Sequence, residues 1–406
     1  MISNLLQWDI PYNDPDWMSF RTTGLTAEMA LKYSAKQYPG GIGASEAATV
    51  LGLSSQYRPV LAELWHFKVG DEIPVHFDNE AMFHGRWLEN YILRLWECWD
   101  GTKDGYMKNF EKMRRATTDL ERNKARVRSI SVIKSYLVNP DYPYLFVSLD
   151  GYAPDGSLCM KNDHKRYKFS EPVPGGFPVE CKTIGHFEAE RWATGVPSQY
   201  IVQINQQMLI TDCYYAELPI LKDGRFFDVL MFERNDDICR QLIAKGKEFW
   251  DRVIAGREMM TKADEWLNRG NQDMANEWLG KIQMLEPEVD ENPAYKEYLS
   301  EKYKREKDIM LGNMELWDLA YIHKKVSTLI SRLEILKNYF GNKLTKQFIL
   351  NKVEEINFGS EKMGKLKYSK RGDNNNYALY NYLDFDEEEF INEVVRQINN
   401  EHYESK

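Results

Sequence analysis

Along the first half of the chain, stretches whose apolar residues recur every three or four positions alternate with short apolar runs bounded by turn residues, the pattern of a mixed α/β fold. Helices are predicted over Pro59–Val69, Glu80–Trp99 and Ser198–Thr211. In the second, Met82, Phe83, Trp87, Leu88, Tyr91, Ile92, Leu95 and Trp96 fall on or near one face. A further helix is expected over Ala44–Leu51, with Ser45 capping its free N–H groups and Gly52 ending it. Tyr144–Asp150 and Phe177–Ile184 read as strands, separated by a Gly-, Pro- and charge-rich stretch that suits a hairpin. Tyr214–Leu221 and Phe226–Phe232 flank Lys222-Asp-Gly-Arg225, a hairpin turn signal.

Beyond Asp236 helix formers dominate. Leu319, Ile322, Val326, Leu329, Leu333, Leu336 and Phe340 alternate steps of three and four, a seam that requires a partner helix. Pro293–Leu311 is the expected partner, and Gly341-Asn342 the expected end. The tail promises a hairpin around Lys370–Asp373 and a solvated helix start at the acidic run Asp384–Glu389. These segments divide the chain into an α/β unit over 1–255, a helical hairpin or coiled-coil-like region over 256–358 and a tail element over 359–406.

Composition narrows the class without naming a function. The 406 residues are 43% hydrophobic and 28% charged, which excludes a wholly disordered chain, and no run of apolar residues is long enough to span a bilayer. With no signal-like N-terminus, the cytoplasm is the expected compartment, with no membrane partner. Five scattered cysteines without a C-x-x-C pair argue against zinc ribbons, iron–sulfur clusters and a disulfide framework. The net charge of −9 means that any contact with nucleic acid must come from a local basic lining.

Three residues carry candidate chemistry. Asp150 ends one predicted strand, and Glu180 and Lys182 stand two apart on the next, so both point to one face and can converge on Asp150 if the strands pair. Val179 and Cys181 form the apolar side. Paired carboxylates of this kind suit a hard divalent cation such as Mg²⁺, with Mn²⁺ expected to substitute, and the backbone carbonyl of Cys181 is an additional oxygen donor. Lys182 would orient or help deprotonate a water attacking phosphorus. Glu89, on the amphipathic helix, is a further carboxylate within reach. Gln203 and Asn205 are uncharged amides placed to bond phosphate or to hold water.

In order along the chain, Gly41-Ile-Gly-Ala-Ser-Glu-Ala-Ala48, His84-Gly-Arg-Trp-Leu-Glu89, Ser148-Leu-Asp-Gly151, Val179-Glu-Cys-Lys-Thr183 and Tyr200-Ile-Val-Gln-Ile-Asn-Gln-Gln-Met208 resemble the YqaJ-type viral recombinases, which belong with lambda exonuclease in the PD-(D/E)xK nuclease superfamily. The resemblance spans roughly residues 17–255, with the usual error at such boundaries. It implies a central mixed β-sheet flanked by helices, here with an added helical C-terminal region. The implied activity is a Mg²⁺-dependent 5′-to-3′ exonuclease on double-stranded DNA ends, leaving 3′ single strands for a single-strand annealing protein. Asp150, Glu180 and Glu89 become metal ligands, Lys182 the catalytic lysine, and Ser45 and Arg21 the grip on the terminal 5′-phosphate. A homo-oligomeric ring threaded by DNA is also implied. The chain departs from the pattern in three places: Thr22–Pro39 intervenes between Trp17-Met-Ser-Phe-Arg21 and the glycine-rich motif, Asn205 replaces a glutamine, and a long loop with Lys161, His164, Lys165, Arg166 and Lys168 separates Asp150 from Glu180. Two alternatives remain at this level: a PD-(D/E)xK endonuclease of a defence or restriction system, and a DNA-end-binding protein without turnover.

Overall fold

A computed structural model describes residues 4–381 apart from 12–13, 34, 54–57, 73–79, 164–165, 187, 189–191, 193–194, 303–313, 352–354, 358–364 and 372–375. Two compact units result, Met1–Arg305 and Glu306–Lys406.

In the first unit, β1 (Leu6–Trp8), β2 (Ile42–Gly43), β3 (Tyr136–Val138) and β4 (Leu145–Ser148) form a sheet ordered β1-β3-β4-β2. A second, mixed sheet is ordered β11-β10-β8-β5, from β5 (Gly151–Ala153), β8 (Phe177–Val179), β10 (Tyr215–Lys222) and β11 (Phe226–Glu233). The short strand β9 (Lys182–Ile184) continues β8 along β10, and both pair with it in parallel. Between β5 and β8 the hairpin β6 (Leu158–Asp163) and β7 (Arg166–Pro172) forms as its turn-rich sequence predicts. The side chains of Lys161, His164, Lys165, Arg166 and Lys168 lie outside the described residues. In the β10–β11 turn, Asp223 and Gly224 both take positive φ, as an Asp-Gly hairpin requires.

Helices flank the sheets. Chain order gives α1 (Pro15–Arg21), α2 (Ala27–Lys32), α3 (Ala47–Val50), α4 (Leu61–Val69), α5 (Glu80–Cys98), α6 (Lys103–Arg115), α7 (Asp119–Ala125), α8 (Ser198–Thr211), α9 (Asp236–Asn268), α10 (Gln272–Gln283) and α11 (Tyr295–Lys302). The helix α8 is buried from both sides. Val202, Leu209 and Ile210 enter one core with Leu145 and Val147, while Ile204 and Met208 enter another with Leu218 and Ile220. Its Gln206 amide donates to the carbonyls of Ile42 (2.9 Å) and Phe146 (3.0 Å), locking the helix onto the first sheet. At the crossing of α9 and α4, a Cβ on Gly256 would stand 2.8 Å from Val69, so only glycine lets the two helices approach this closely.

Two expectations change here. The predicted strand Tyr144–Asp150 breaks into β4 and β5, and β5 rather than β4 pairs with β8, through Gly151↔Val179. The expected partner of the C-terminal seam is engaged elsewhere: Tyr295 and Tyr298 of α11 pack on Val60 and Ala62 at the start of α4. In the second unit, α12 (Met314–Asn351) runs straight through Gly341, because one glycine costs a helix only about 1 kcal/mol. Of the seam, Leu319, Ile322, Leu333 and Phe340 are exposed. The antiparallel strands β12 (Glu355–Asn357), β13 (Lys365–Arg371) and β14 (Asn376–Asn381) include the expected tail hairpin. The acidic run from Asp384 lies outside the described residues.

Candidate active site

The register Gly151↔Val179 extends by one position to bring Asp150 opposite Glu180 where β8 gives way to β9. At that break the Glu180 N–H donates to the Glu217 carbonyl at 3.0 Å, and the Cys181 N–H donates to Asp150 Oδ2 at 2.8 Å. The alternation expected of the strand holds through it. Phe177, Val179 and Cys181 enter one core, while Ile184 enters the core on the side of α8. Glu180 and Lys182 share that second side, and Lys182 Nζ donates to Glu180 Oε1 at 2.5 Å.

Glu180 is the hub of the site, 4% exposed yet fully partnered. Gln203 Nε2 donates to its Oε1 and Gln207 Nε2 to its Oε2, each at 2.6 Å. Gln203 therefore stands at the site, although its amide engages the carboxylate. Asn205 does not: it is buried, its Nδ2 donates to the Ile201 carbonyl, and its Oδ1 accepts from the Asn235 N–H at 2.7 Å where β11 passes into α9. The physical reason is helical period. Residues two apart on a helix point in opposed directions, whereas 203 and 207, four apart, share a face. Gln207 is the functional residue that sequence reasoning missed, and this spacing was the signal for it.

Glu89 approaches from α5, whose Gly85 faces Thr183 of β9. Burial, the Glu180 charge and the Glu89 charge push the Asp150 carboxyl well above its ordinary range. Burial and the Glu180 charge likewise raise Glu89 to about 7, with Lys182 opposing. Lys182 moves the other way: burial alone would lower it, but Glu180 and Asp150 hold its ammonium protonated above the ordinary lysine value. Three carboxylates thus crowd around one cation. Among the described residues no three acidic, thiol or imidazole groups stand ready at ligating distance. The donor chemistry nevertheless fits a hard divalent ion, because the oxygens of Asp150 and Glu89 experience uncompensated negative charge that a cation would relieve.

A second cluster lies in a cavity of about 910 Å³ whose lining includes Trp17, Arg21, Ser45, Glu46, Lys68 and Tyr298. The inserted stretch Thr22–Pro39 folds aside as a closed excursion. Leu25 bridges Tyr38, and α2 is tied back by Lys32 to Asp14 and Asp16. At its neck a Cβ on Gly24 (φ +93°) would lie 2.1 Å from the Tyr38 carbonyl oxygen. Arg21 consequently reaches Ser45 Oγ and Glu46 Oε1, both at 3.2 Å. Ser45 is not the expected helix cap. The helix α3 begins only at Ala47, and the N–H groups of Glu46 and Ala47 already donate to Gly43 and Ala44, so no open helix N-terminus awaits a phosphate here. Instead Glu46 Oε2 accepts from the Gly43 N–H and from Lys68 Nζ, both at 2.7 Å. Burial would raise the Glu46 carboxyl, but Lys68 and Arg21 hold it below its ordinary value. Burial lowers the fully enclosed Lys68 to about 8 against the pull of Glu46.

Residues 16–214 match the model of the YqaJ-like viral recombinase domain. Among solved structures the chain is similar to an alkaline exonuclease from Laribacter hongkongensis (15% identity, covering 56% of this chain and 94% of that one, TM-score 0.38). It is also similar to a phage-related exonuclease from Haemophilus somnus 129PT (10% identity, covering 53% and 95%, TM-score 0.32). No curated protein matches the sequence. No helix among the described residues is long and apolar enough to cross a membrane.

Proposed function

We propose that the chain is a divalent-metal-dependent exonuclease that digests one strand of double-stranded DNA from its 5′ end and leaves a 3′ single strand. The observation that carries this reading is the convergence of Asp150, Glu180 and Glu89 around a single protonated lysine. Asp150 and Glu89, with the Cys181 carbonyl, would hold Mg²⁺ or Mn²⁺, and Glu180 would join them by exchanging one of its hydrogen bonds. When bound, such an ion supplies positive charge opposite the charge that builds on the phosphate oxygens during attack.

The remaining chemistry belongs to the chain. Because Glu180 and Asp150 keep Lys182 protonated, its ammonium donates a hydrogen bond that aims the attacking water and steadies the phosphate, rather than withdrawing a proton. Gln203 and Gln207 fix the Glu180 carboxylate in one orientation, so the Lys182 ammonium is held before substrate arrives. Arg21 and Ser45 line the cavity that would receive a 5′-phosphate, with Arg21 exchanging its contact with Glu46 for the incoming anion.

Digestion of linear, nicked and closed circular duplex with 5′-phosphate or 5′-hydroxyl ends, with Mg²⁺ and with chelator, tests the reading. Metal-dependent loss of linear duplex from phosphorylated ends is expected. Ready cleavage of closed circles would replace it with the endonuclease alternative, and binding of ends without hydrolysis with the end-binding one. The reading also predicts a homo-oligomer, as a ring, and an annealing protein that takes the 3′ strand. Mass measurement in solution and co-purification with such a protein check these two points.

A further inference from the structure

Three aromatic side chains stand outside the core along one face of α5. Phe83 is 48% exposed, Trp87 72% and Tyr91 42%, at the i, i+4, i+8 spacing that aligns them over about 12 Å of helix. The rings of Phe83 and Trp87 lie 6.3 Å apart, and Tyr91 meets Phe110 of α6 edge-on at 5.5 Å, which joins the stripe to the next helix. On α6, spacings of three and four place Lys103, Met107 and Arg114 on the Phe110 side, and Met107 is exposed. Between residues 103 and 126 basic side chains outnumber acidic ones two to one, in a chain whose net charge is −9. Glu111 and Asp119 occupy Arg114, Arg115 and Arg122. No ion pair engages Lys103, Lys108, Lys112 or Lys124 among the described residues.

A core would hide such rings, and their exposure beside Lys103, the unpaired lysine on the Phe110 side of α6, suits an occupant that is flat, apolar on its faces and negatively charged along its edge. We propose that the stripe Phe83–Trp87–Tyr91, continued onto α6, is a track for single-stranded DNA, with bases stacked on the rings and a phosphate drawn to Lys103. The inference rests on the nuclease reading for its biological sense, since the track shares α5 with Glu89. A strand freed at the site needs to travel only about one helix diameter, roughly 10 Å, to reach it. The binding itself requires neither metal nor hydrolysis.

The test uses the full chain in chelator, with fluorescently labelled oligothymidylate as probe, followed by anisotropy and by quenching of tryptophan emission. The parent should bind, and the double variant Phe83→Ala/Trp87→Ala should bind about 10- to 100-fold more weakly, the effect of losing one or two stacked bases. Lys103→Glu should also weaken binding and flatten its salt dependence. Because these side chains are exposed, circular dichroism and melting should match the parent. Equal oligothymidylate affinity in parent and double variant overturns the proposal. It is likewise overturned if the double variant changes only the oligomeric mass, which would make the stripe a contact between copies. Mg²⁺-dependent digestion by the parent is scored separately. A parent that binds through the stripe but never cuts sinks the nuclease reading alone, and one that cuts while stripe variants bind normally sinks the track alone.

Discussion

The two charged clusters of the first unit solve opposite problems. Around Glu46 the charges are closed within the protein: one carboxylate faces Arg21 and Lys68, and its pKa falls. Around Glu180 they are left open: three carboxylates share one lysine, and the carboxyls of Asp150 and Glu89 rise. A folded chain retains such an imbalance at a cost to its own stability, and the proposed function gives that excess of negative charge a cation to hold. In the other cluster, by contrast, two cations already satisfy the one carboxylate, and an anion reaches Arg21 only by displacing Glu46.

The sharpest way to separate the two is to remove each lysine's function. On the proposed mechanism, in which the ammonium acts on the attacking water, Lys182→Ala should reduce hydrolysis of linear duplex by roughly 10²- to 10⁴-fold while leaving DNA binding largely intact. Unchanged turnover in digestion assays would move the reaction elsewhere. Glu46→Gln should instead strike folding. It leaves Lys68 buried without its partner, at a cost of about 3–5 kcal/mol in urea unfolding.

The same lysine predicts a pH dependence. Folded, Lys68 releases its proton near pH 8, against an ordinary value of 10.5. The unfolded chain therefore binds more protons across that window, and this group's contribution to stability rises as pH climbs from about 8 to 10.5. That rise should be absent in Lys68→Met, measured by unfolding at each pH.

Smaller effects sharpen the contrast further. Arg21→Ala should slow digestion of 5′-phosphorylated ends by ~10- to 100-fold relative to 5′-hydroxyl ends, the worth of one charge-assisted contact of about 1.5–3 kcal/mol. Ser45→Ala should show a weaker form of the same bias. Last, Asp150→Asn should abolish the response to Mg²⁺ yet stabilise the metal-free protein by about 1 kcal/mol, because it removes one of the crowded charges. A variant that melts below the parent in chelator would show that Asp150 serves the fold first.

How much of this the sequence made legible depends on period. Asp150, Glu180 and Lys182 were readable because a strand's two-residue repeat fixes which side chains share a face, and the repeat survives the break between β8 and β9. Of the two amides, Gln203 meets Glu180, whereas Asn205, two positions on, faces away, because a helix brings residues four apart, here 203 and 207, onto one face. Ser45 looked like a cap from its residue type, but the Glu46 side chain satisfies the preceding Gly43 N–H and the helix starts later. Lys68 carried one faint signal, its place three and four residues after the apolar Trp65 and Leu64 on one face of α4. Its partner, 22 residues away, is visible only once the chain is folded.

The placement of α11 bears on how this nuclease-like body could be inherited or transplanted. The family match ends at residue 214, yet Tyr298 and Glu301 from far downstream wall the cavity that holds Arg21 and Ser45. The Tyr295 hydroxyl accepts from the Ala62 N–H at 3.0 Å, and Glu301 and Lys302 tie down Arg58 and Glu72. A graft of the recognised domain into another chain would arrive with Val60 and Ala62 bare and one wall of that cavity missing. The smallest portable piece is therefore the whole first unit, through Arg305, and swaps among relatives should treat α11 as part of the site it borders.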